Sequence, residues 1–333
     1  MSLKSKKNVE DVLETIEASE GSDTVVVLAR VKPGEVVARG PWALAWRRLR
    51  QDKVALVSGV VLIVLILIAI FAPLINDILG QAPNSQDINN GLDTYGLPVG
   101  PNSQHWLGTD DLGRDVLARL IYGTRISIGI GLLATALSVL IGVVLGLLSG
   151  YLRGVVDGLI ARLIDVILSI PFLLAAVSIV AVSGGPSLGI TVGVLAFFSW
   201  ATMARIIRGQ VLSLREREFI EAARSLGASS WRIMFVDLLP NLLMPIIIYF
   251  SLLVPVVIVS EATLAFLGVG LPAPTADWGG MISEAQNGDL YKVAWWLVFF
   301  PSGALVLTTL AFNLLGDGIR DAFDPRFSRV VAK

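Results

Sequence analysis

The chain has no cysteine and only one histidine, His105, among its 333 residues. Without cysteine there is neither a disulfide framework nor a thiolate metal site. A zinc centre takes three or four ligands, so His105 with Asp110 and Asp111 is too thin a set. Asp110, Asp111 and Asp115 also lack the spacing of a calcium loop, and no metal site is expected. No glycine is followed by lysine, so the G-x-x-x-x-G-K-[ST] phosphate cradle is missing and the chain is not expected to hydrolyse ATP or to hold a cofactor. An embedded Ser–His protease is excluded because the only histidine lies outside the apolar blocks. Charge is sparse at 16%, and the net charge of −1 argues against nucleic acid as a partner.

What is abundant is apolar surface: 54% of residues are hydrophobic, and mean hydropathy is +0.74. These residues gather in blocks of about 20, the length that crosses about 30 Å of hydrocarbon. Six blocks are read: Val54–Ile75, Ile126–Gly150, Ala161–Val182, Gly189–Ile207, Leu238–Ser260 and Ala294–Leu315. They are continuously apolar rather than alternating, which excludes a β-barrel and predicts an all-α polytopic membrane protein with six transmembrane helices. Ser183–Ser187 is a tight turn between the third and fourth. Pro171, Pro245, Pro255 and Pro301 fall inside blocks and are expected to kink them. Gly142, Gly146 and Gly150 form a small-residue stripe, expected to serve packing within the chain. No signal peptide is evident before Val54.

Placing both termini in the cytoplasm puts 22 of the 26 Lys and Arg residues inside and 4 outside. The positive-inside rule therefore predicts a multi-pass plasma-membrane protein with cytoplasmic ends. The expected organisation is a polar tail at 1–41 with a short strand near Val25–Leu28, an interfacial helix and first span at 42–75, and an external loop at 76–125. A five-helix core follows at 126–320, then a tail at 321–333. In the interfacial helix Trp42, Trp46 and Leu49 are expected opposite Arg47, Arg48, Arg50 and Lys53. The loop ends in an amphipathic stretch with Val116, Leu117, Leu120 and Ile121 on one face. The Asp110/Asp111/Asp115 group is expected to cap and solvate it.

Between the fourth and fifth blocks lies a charged, cytoplasmic two-helix finger. Leu214, Phe219, Ile220, Ala223 and Leu226 recur at helical spacing, and Gly227 stands where a helix end needs φ > 0. Ser229 or Ser230 is expected to cap a second helix holding Trp231, Ile233 and Met234. Arg215, Glu216, Arg217, Glu218, Glu221, Arg224 and Arg232 make its polar side. A solvated loop of alternating charge is the plain alternative. Against it, Phe, Ile, Trp and Met exposed on one small hairpin form an apolar patch that invites a partner.

Glu221-Ala222-Ala223, Gly227 and Leu239-Pro240 resemble the cytoplasmic loop signature of ABC importer permeases. That signature has Ile ten residues after the glycine, where this chain has Asp237. His105 to Asp110, Leu112 to Asp115, Tyr122 to Arg125, Arg48 to Leu56 and Asp277-Trp278-Gly279 are similar to the C-type permease of dipeptide, oligopeptide and nickel importers. The resemblance covers about residues 42–328. It implies a type I importer fold, a related B-type permease as partner, two ATPase subunits carrying ATP and Mg, and an external solute-binding protein. It implies that Glu221, Ala222, Ala223, Arg224, Ser225, Leu226 and Gly227 couple the chain to an ATPase. The implied substrate is a short peptide, with nickel chelates or other small polar solutes as the alternative. An ion-coupled secondary transporter is the rival class, but it needs charged sites within spans. Here Asp165, Arg205, Asp237 and Glu261 lie near block ends and are expected to be interfacial. Asn241, Tyr249, Ser251 and Ser260 are guessed from polarity to touch the pathway.

Overall fold

The computed structural model describes residues 41–323. The strand expected near Val25–Leu28 and the rest of the 1–40 tail lie outside the described residues, as does 324–333. Helix α1 (Pro41–Leu49) contacts the far end of the chain, where Arg48 Nη1 donates to the Ala322 carbonyl at 3.3 Å. Its buried side is Ala45, whereas Trp46 is exposed and lies under the Arg50 guanidinium, 5.0 Å from the ring centroid. Trp46 and Arg50 therefore share a face, contrary to the opposition expected from spacing. Both are amphipathic enough to reach the surface together.

Helix α2 (Lys53–Leu79) begins where Asp52 accepts the amides of Val54 and Ala55, and ends at Gly80 with φ +68°. Its buried positions are Ala55, Ser58, Leu62, Leu65, Ala69, Ala72 and Asn76. This alternating three–four spacing is the narrow seam of a packed helix pair. Val57, Val60, Ile63, Leu67, Ile70 and Leu74 are exposed on the other side, a face suited to lipid.

Helix α3 (Val116–Leu152) is 37 residues long, about 55 Å. It starts ten residues before the expected second block, so the amphipathic stretch is a continuation of the span and not part of the loop. Asp115 caps it, accepting the Ala118 amide at 2.8 Å. The expected third block is not one rod. Helices α4 (Gly154–Ser169) and α5 (Phe172–Val182) meet at 89°. Pro171 has no amide to donate, and it forces Ile170 into extended backbone at φ −80°, ψ 125°. Pro245, Pro255 and Pro301 sit inside uninterrupted helices.

Helix α6 (Leu188–Leu214) lies against α3 along the glycine stripe. The chain then forms α7 (Glu218–Ser225), a turn, one helical turn at Ser230–Arg232 and a π-helical turn at Ile233–Leu238. This runs without interruption into α8 (Leu239–Leu264). Asp237, the departure from the family signature, lies in that π turn. After a second π turn at Ala265–Val269 come α9 (Trp278–Glu284) and α10 (Trp296–Phe323). The described residues thus hold five helices long and apolar enough to cross a membrane, and six spans if the bent pair counts as one. Ile130, Ile164, Leu195, Trp200, Val257 and Leu264 form the central core, joining α3, α4, α6 and α8. One end of the bundle carries the α7 hairpin, and the other carries the 80–115 and 265–295 loops.

Candidate functional site

The hairpin is built from local signals that the sequence carries. Arg217 has extended backbone and starts α7. At its far end Gly227 adopts φ +80°, its amide donates to the Arg224 carbonyl at 2.9 Å, and the Ala228 amide donates to the Ala223 carbonyl at 3.0 Å. This pair of bonds is a Schellman turn, which closes the orphan carbonyls of a helix end. Ser229 then caps the next turn, accepting the Arg232 amide at 3.3 Å.

Tertiary packing decides which face is free. Ile220 is fully buried and Ala223 half-buried, against Val211, Ile233, Met234 and Leu238. Glu221, Ala222, Arg224, Ser225, Leu226 and Gly227 are exposed. The expected apolar patch is corrected in composition: Ile220, Ile233 and Met234 belong to the core, and the exposed large apolar residues are Phe219, Leu226, Trp231 and Val236. Trp231 is steadied edge-on by Phe235, with centroids 4.3 Å apart. The outward surface of α7 is thus a small, low-relief face, with Ala222 and Ser225 flanked by Glu221 and Leu226. Small side chains there permit close approach of another backbone.

The hairpin's root was not singled out from sequence. Arg215 Nη1 donates to the Tyr151 carbonyl at 2.6 Å, and Arg153 Nη2 donates to Glu216 Oε1 at 2.6 Å. The guanidiniums of Arg215 and Arg224 lie 5.8 and 5.5 Å from the Tyr151 ring. Arg215 and Glu216 read as solvated polar residues because their partners, Tyr151 and Arg153, stand more than 60 positions earlier. Behind them Arg208 grips Asp157 with Nε and Nη2 at 2.6 and 2.9 Å, fixing α6 to α4, and Arg205 pairs with Asp165 at 2.8 Å.

Of the polar residues in the fifth block, Tyr249 lines an open groove. It does so with Gln210, Pro245, Ile248, Leu252 and Arg320, around a cavity of about 240 Å³. Asn241 donates to the Asp237 carbonyl, Ser251 to Ile248 and Ser260 to Val256, so each spends its polar group on nearby backbone. Ser251 is buried against Gly316 of α10.

The opposite end is locked by buried ions. Arg114 Nε meets Asp110 at 2.6 Å, and Arg114 and Arg119 both reach Glu284 at 3.1 and 2.9 Å. Asp110, Asp111 and Glu284 form the acidic group, with the guanidiniums of Arg114 and Arg119 set among them. Asp110 is therefore buried and paired, not solvated as expected. His105 turns away from it, to Asp115 at 2.8 Å. Glu261, expected at an interface, is corrected too: it is 1% exposed and neither carboxylate oxygen has a hydrogen-bond partner, with Asp277 and Ser127 close by.

Asp277 caps α9, accepting the Gly280 amide at 2.7 Å, yet its burial pushes its pKa up to about 6. In the unfolded chain it ionises near 4. Between those values the folded state holds a proton that the unfolded state has lost, so stability falls as pH rises through that window. Asp277→Asn keeps a good cap. The fall in thermal midpoint between pH 4 and pH 6.5, measured in detergent, is expected to be steeper for the wild type than for the variant.

Comparison with known proteins places these features together. The family described as binding-protein-dependent transport system inner membrane component matches residues 142–329, a stretch that contains the whole hairpin. The N-terminal transmembrane domain of oligopeptide transport permease C matches residues 40–92. The chain is 43% identical over 296 residues to the glutathione transport system permease protein GsiD of Salmonella typhimurium, covering 89% of this chain and 93% of that one. Against GsiD of Pectobacterium atrosepticum the identity is 41% over 288 residues, covering 86% and 92%. A chain from an inward-facing crystal form of the MetNI methionine ABC transporter is 18% identical with a TM-score of 0.49, covering 65% of this chain and 97% of that one.

Proposed function

We propose that this chain, which belongs to the family of binding-protein-dependent transport system inner membrane components, is the C-type half of an ATP-driven importer of short peptides. A related B-type permease completes the pathway, two ATPase subunits carrying ATP and Mg sit at the hairpin end, and a solute-binding protein delivers the ligand at the loop end. Both termini face the cytoplasm, in keeping with the Lys and Arg excess there. The similarity to glutathione permeases favours a small peptide as the cargo.

The observation that carries the reading is the outward face of α7. Glu221, Ala222, Ser225 and Leu226 are exposed on a short helix whose back is fixed to the bundle by Ile220 and whose end is closed by Gly227. Such a face fits a groove on a rigid partner. Glu221 is placed to accept a charge-assisted hydrogen bond there. Closure of the ATPases on ATP then moves the hairpin and biases the spans between inward and outward states. Tyr249, on the groove beside Arg320, is the residue this reading places on the pathway.

The absence of native cysteine makes the test direct. In membranes holding the full transporter, Ser225→Cys is expected to cross-link to an ATPase subunit bearing a single groove cysteine. Ser103→Cys is expected to react with an impermeant thiol reagent added outside. A Ser225→Cys that never cross-links, or that reacts from the same side as Ser103→Cys, overturns the reading.

A further inference from the structure

The apolar back of the hairpin does not by itself fix its position. Ile220 and Ala223 rest on Val211, Ile233, Met234 and Leu238, and such contacts are non-directional. Directional contacts converge instead on the last turn of α3. Tyr151 is 8% exposed and belongs to the same core. Its carbonyl takes the Arg215 hydrogen bond, and its ring lies beside two guanidiniums, that of Arg215 at the end of α6 and that of Arg224 in the last turn of α7. Next to it Arg153 holds φ +56°, ψ −164°, a region that L residues other than glycine rarely occupy. That backbone is kept by the surrounding structure, and its guanidinium reaches Glu216 at 2.6 Å. Arg215 is crowded: burial first, then the positive charges of Arg153 and Arg224, lower its pKa. Three like charges are gathered there; Glu216 engages Arg153 and Arg215, and the Tyr151 ring and carbonyl engage Arg215 and Arg224.

We infer that Tyr151, clasped by Arg215 and Arg224 and backed by the Arg153–Glu216 pair, is the positioning residue through which movement of the hairpin is passed to α3 and the helices packed on it. This assigns Arg224 an inward role, on Tyr151, within a segment whose other exposed residues face out. It also explains how a force applied at α7 reaches a 37-residue helix that ends at the other side of the bundle: α3 is caught at its tip, where leverage on the Gly142–Gly150 contact with α6 is greatest. The inference rests on the docking reading above, and its test separates the two.

In the complete transporter in lipid vesicles, one thiol label is placed on the hairpin, at Ser230→Cys, and another at the far end, at Ser183→Cys, in separate preparations. Labelling rates are compared without nucleotide and with Mg-ATP and vanadate. In the wild-type background both sites are expected to change, each by about fivefold or more. With Tyr151→Leu the hairpin site is expected to keep its response and Ser183→Cys to lose most of its own. Tyr151→Phe, which keeps the ring face, restores it. Arg224→Gln, a surface change that leaves the core intact, is expected to act like Tyr151→Leu, and the double variant to be no worse than either. An undiminished response at Ser183→Cys in Tyr151→Leu and Arg224→Gln overturns the clasp and leaves docking standing. A hairpin site that ignores nucleotide in the wild-type background overturns docking itself.

Discussion

Gly227→Val is expected to leave the chain inserted and assembled and to cut binding-protein-stimulated ATP hydrolysis by about tenfold or more, an effect of about 1.4 kcal/mol on coupling. The reason is local. Gly227 sits at φ +80°, and a Cβ built there meets nothing within 4 Å. The substitution therefore threatens no packing, and its whole cost is backbone strain. For a β-branched residue in the left-handed region that cost is at least about 1–2 kcal/mol. The easiest relief is to open the Schellman turn, which frees the Ala223 and Arg224 carbonyls and lets Leu226 and Ser229 shift. Gly227→Asn is the control, since asparagine tolerates this conformation, and it is expected to retain most of the stimulation. Equal, normal stimulation in both variants would remove the turn from the coupling mechanism.

Gly146→Val is expected to do the opposite: to damage the fold before function can be asked about. A Cβ at Gly146 would lie 2.8 Å from both the Ala204 carbonyl oxygen and Ile207 Cβ, and valine adds two methyl groups beyond that. The neighbours at Gly142 and Gly150 are as close, with Met203 Cβ and Val211 Cβ each at 2.7 Å. Backbone atoms cannot rotate away, so α3 and α6 must separate along their central seam. Overpacking of this kind costs about 1–3 kcal/mol where side chains can yield, and more where backbone blocks them. A thermal midpoint in detergent, or the folded yield, reads the loss. Gly129, on the same helix, has nothing within 4 Å of a built Cβ. There Gly129→Ala is expected to be neutral or to stabilise by about 0.5–1 kcal/mol, through helix propensity. A Gly146→Val protein as stable as Gly129→Ala would mean that the seam is looser than these distances state.

The two glycines also separate what each level of description supplies. The role of Gly227 was readable one residue at a time, because a helix end closes with bonds among neighbours. The stripe at Gly142, Gly146 and Gly150 was readable as a place for close approach, but its partner was not, since Met203, Ile207 and Val211 lie some 60 positions away. The 89° break at Pro171 shows the same limit from another side. A proline in an apolar block is compatible with a kinked span or a broken one, and the choice depends on whether neighbouring helices accept the turned segment. Here Ile167, Ala176 and Phe198 fill the corner.

Block length, hydropathy and the turn and cap residues by themselves determined that this is a helical membrane protein with a capped hairpin between two spans. Each of those features is settled by residues within a turn or two of each other and by the solvent around them. The tertiary structure alone decided that Ile220, Ile233 and Met234 turn inward while Leu226 and Trp231 stay out, that Glu261 and Asp277 are buried together, and that Tyr151 is gripped by Arg215 and Arg224. Those outcomes depend on which distant segments come to share a boundary, and neither periodicity nor charge along the chain encodes that address.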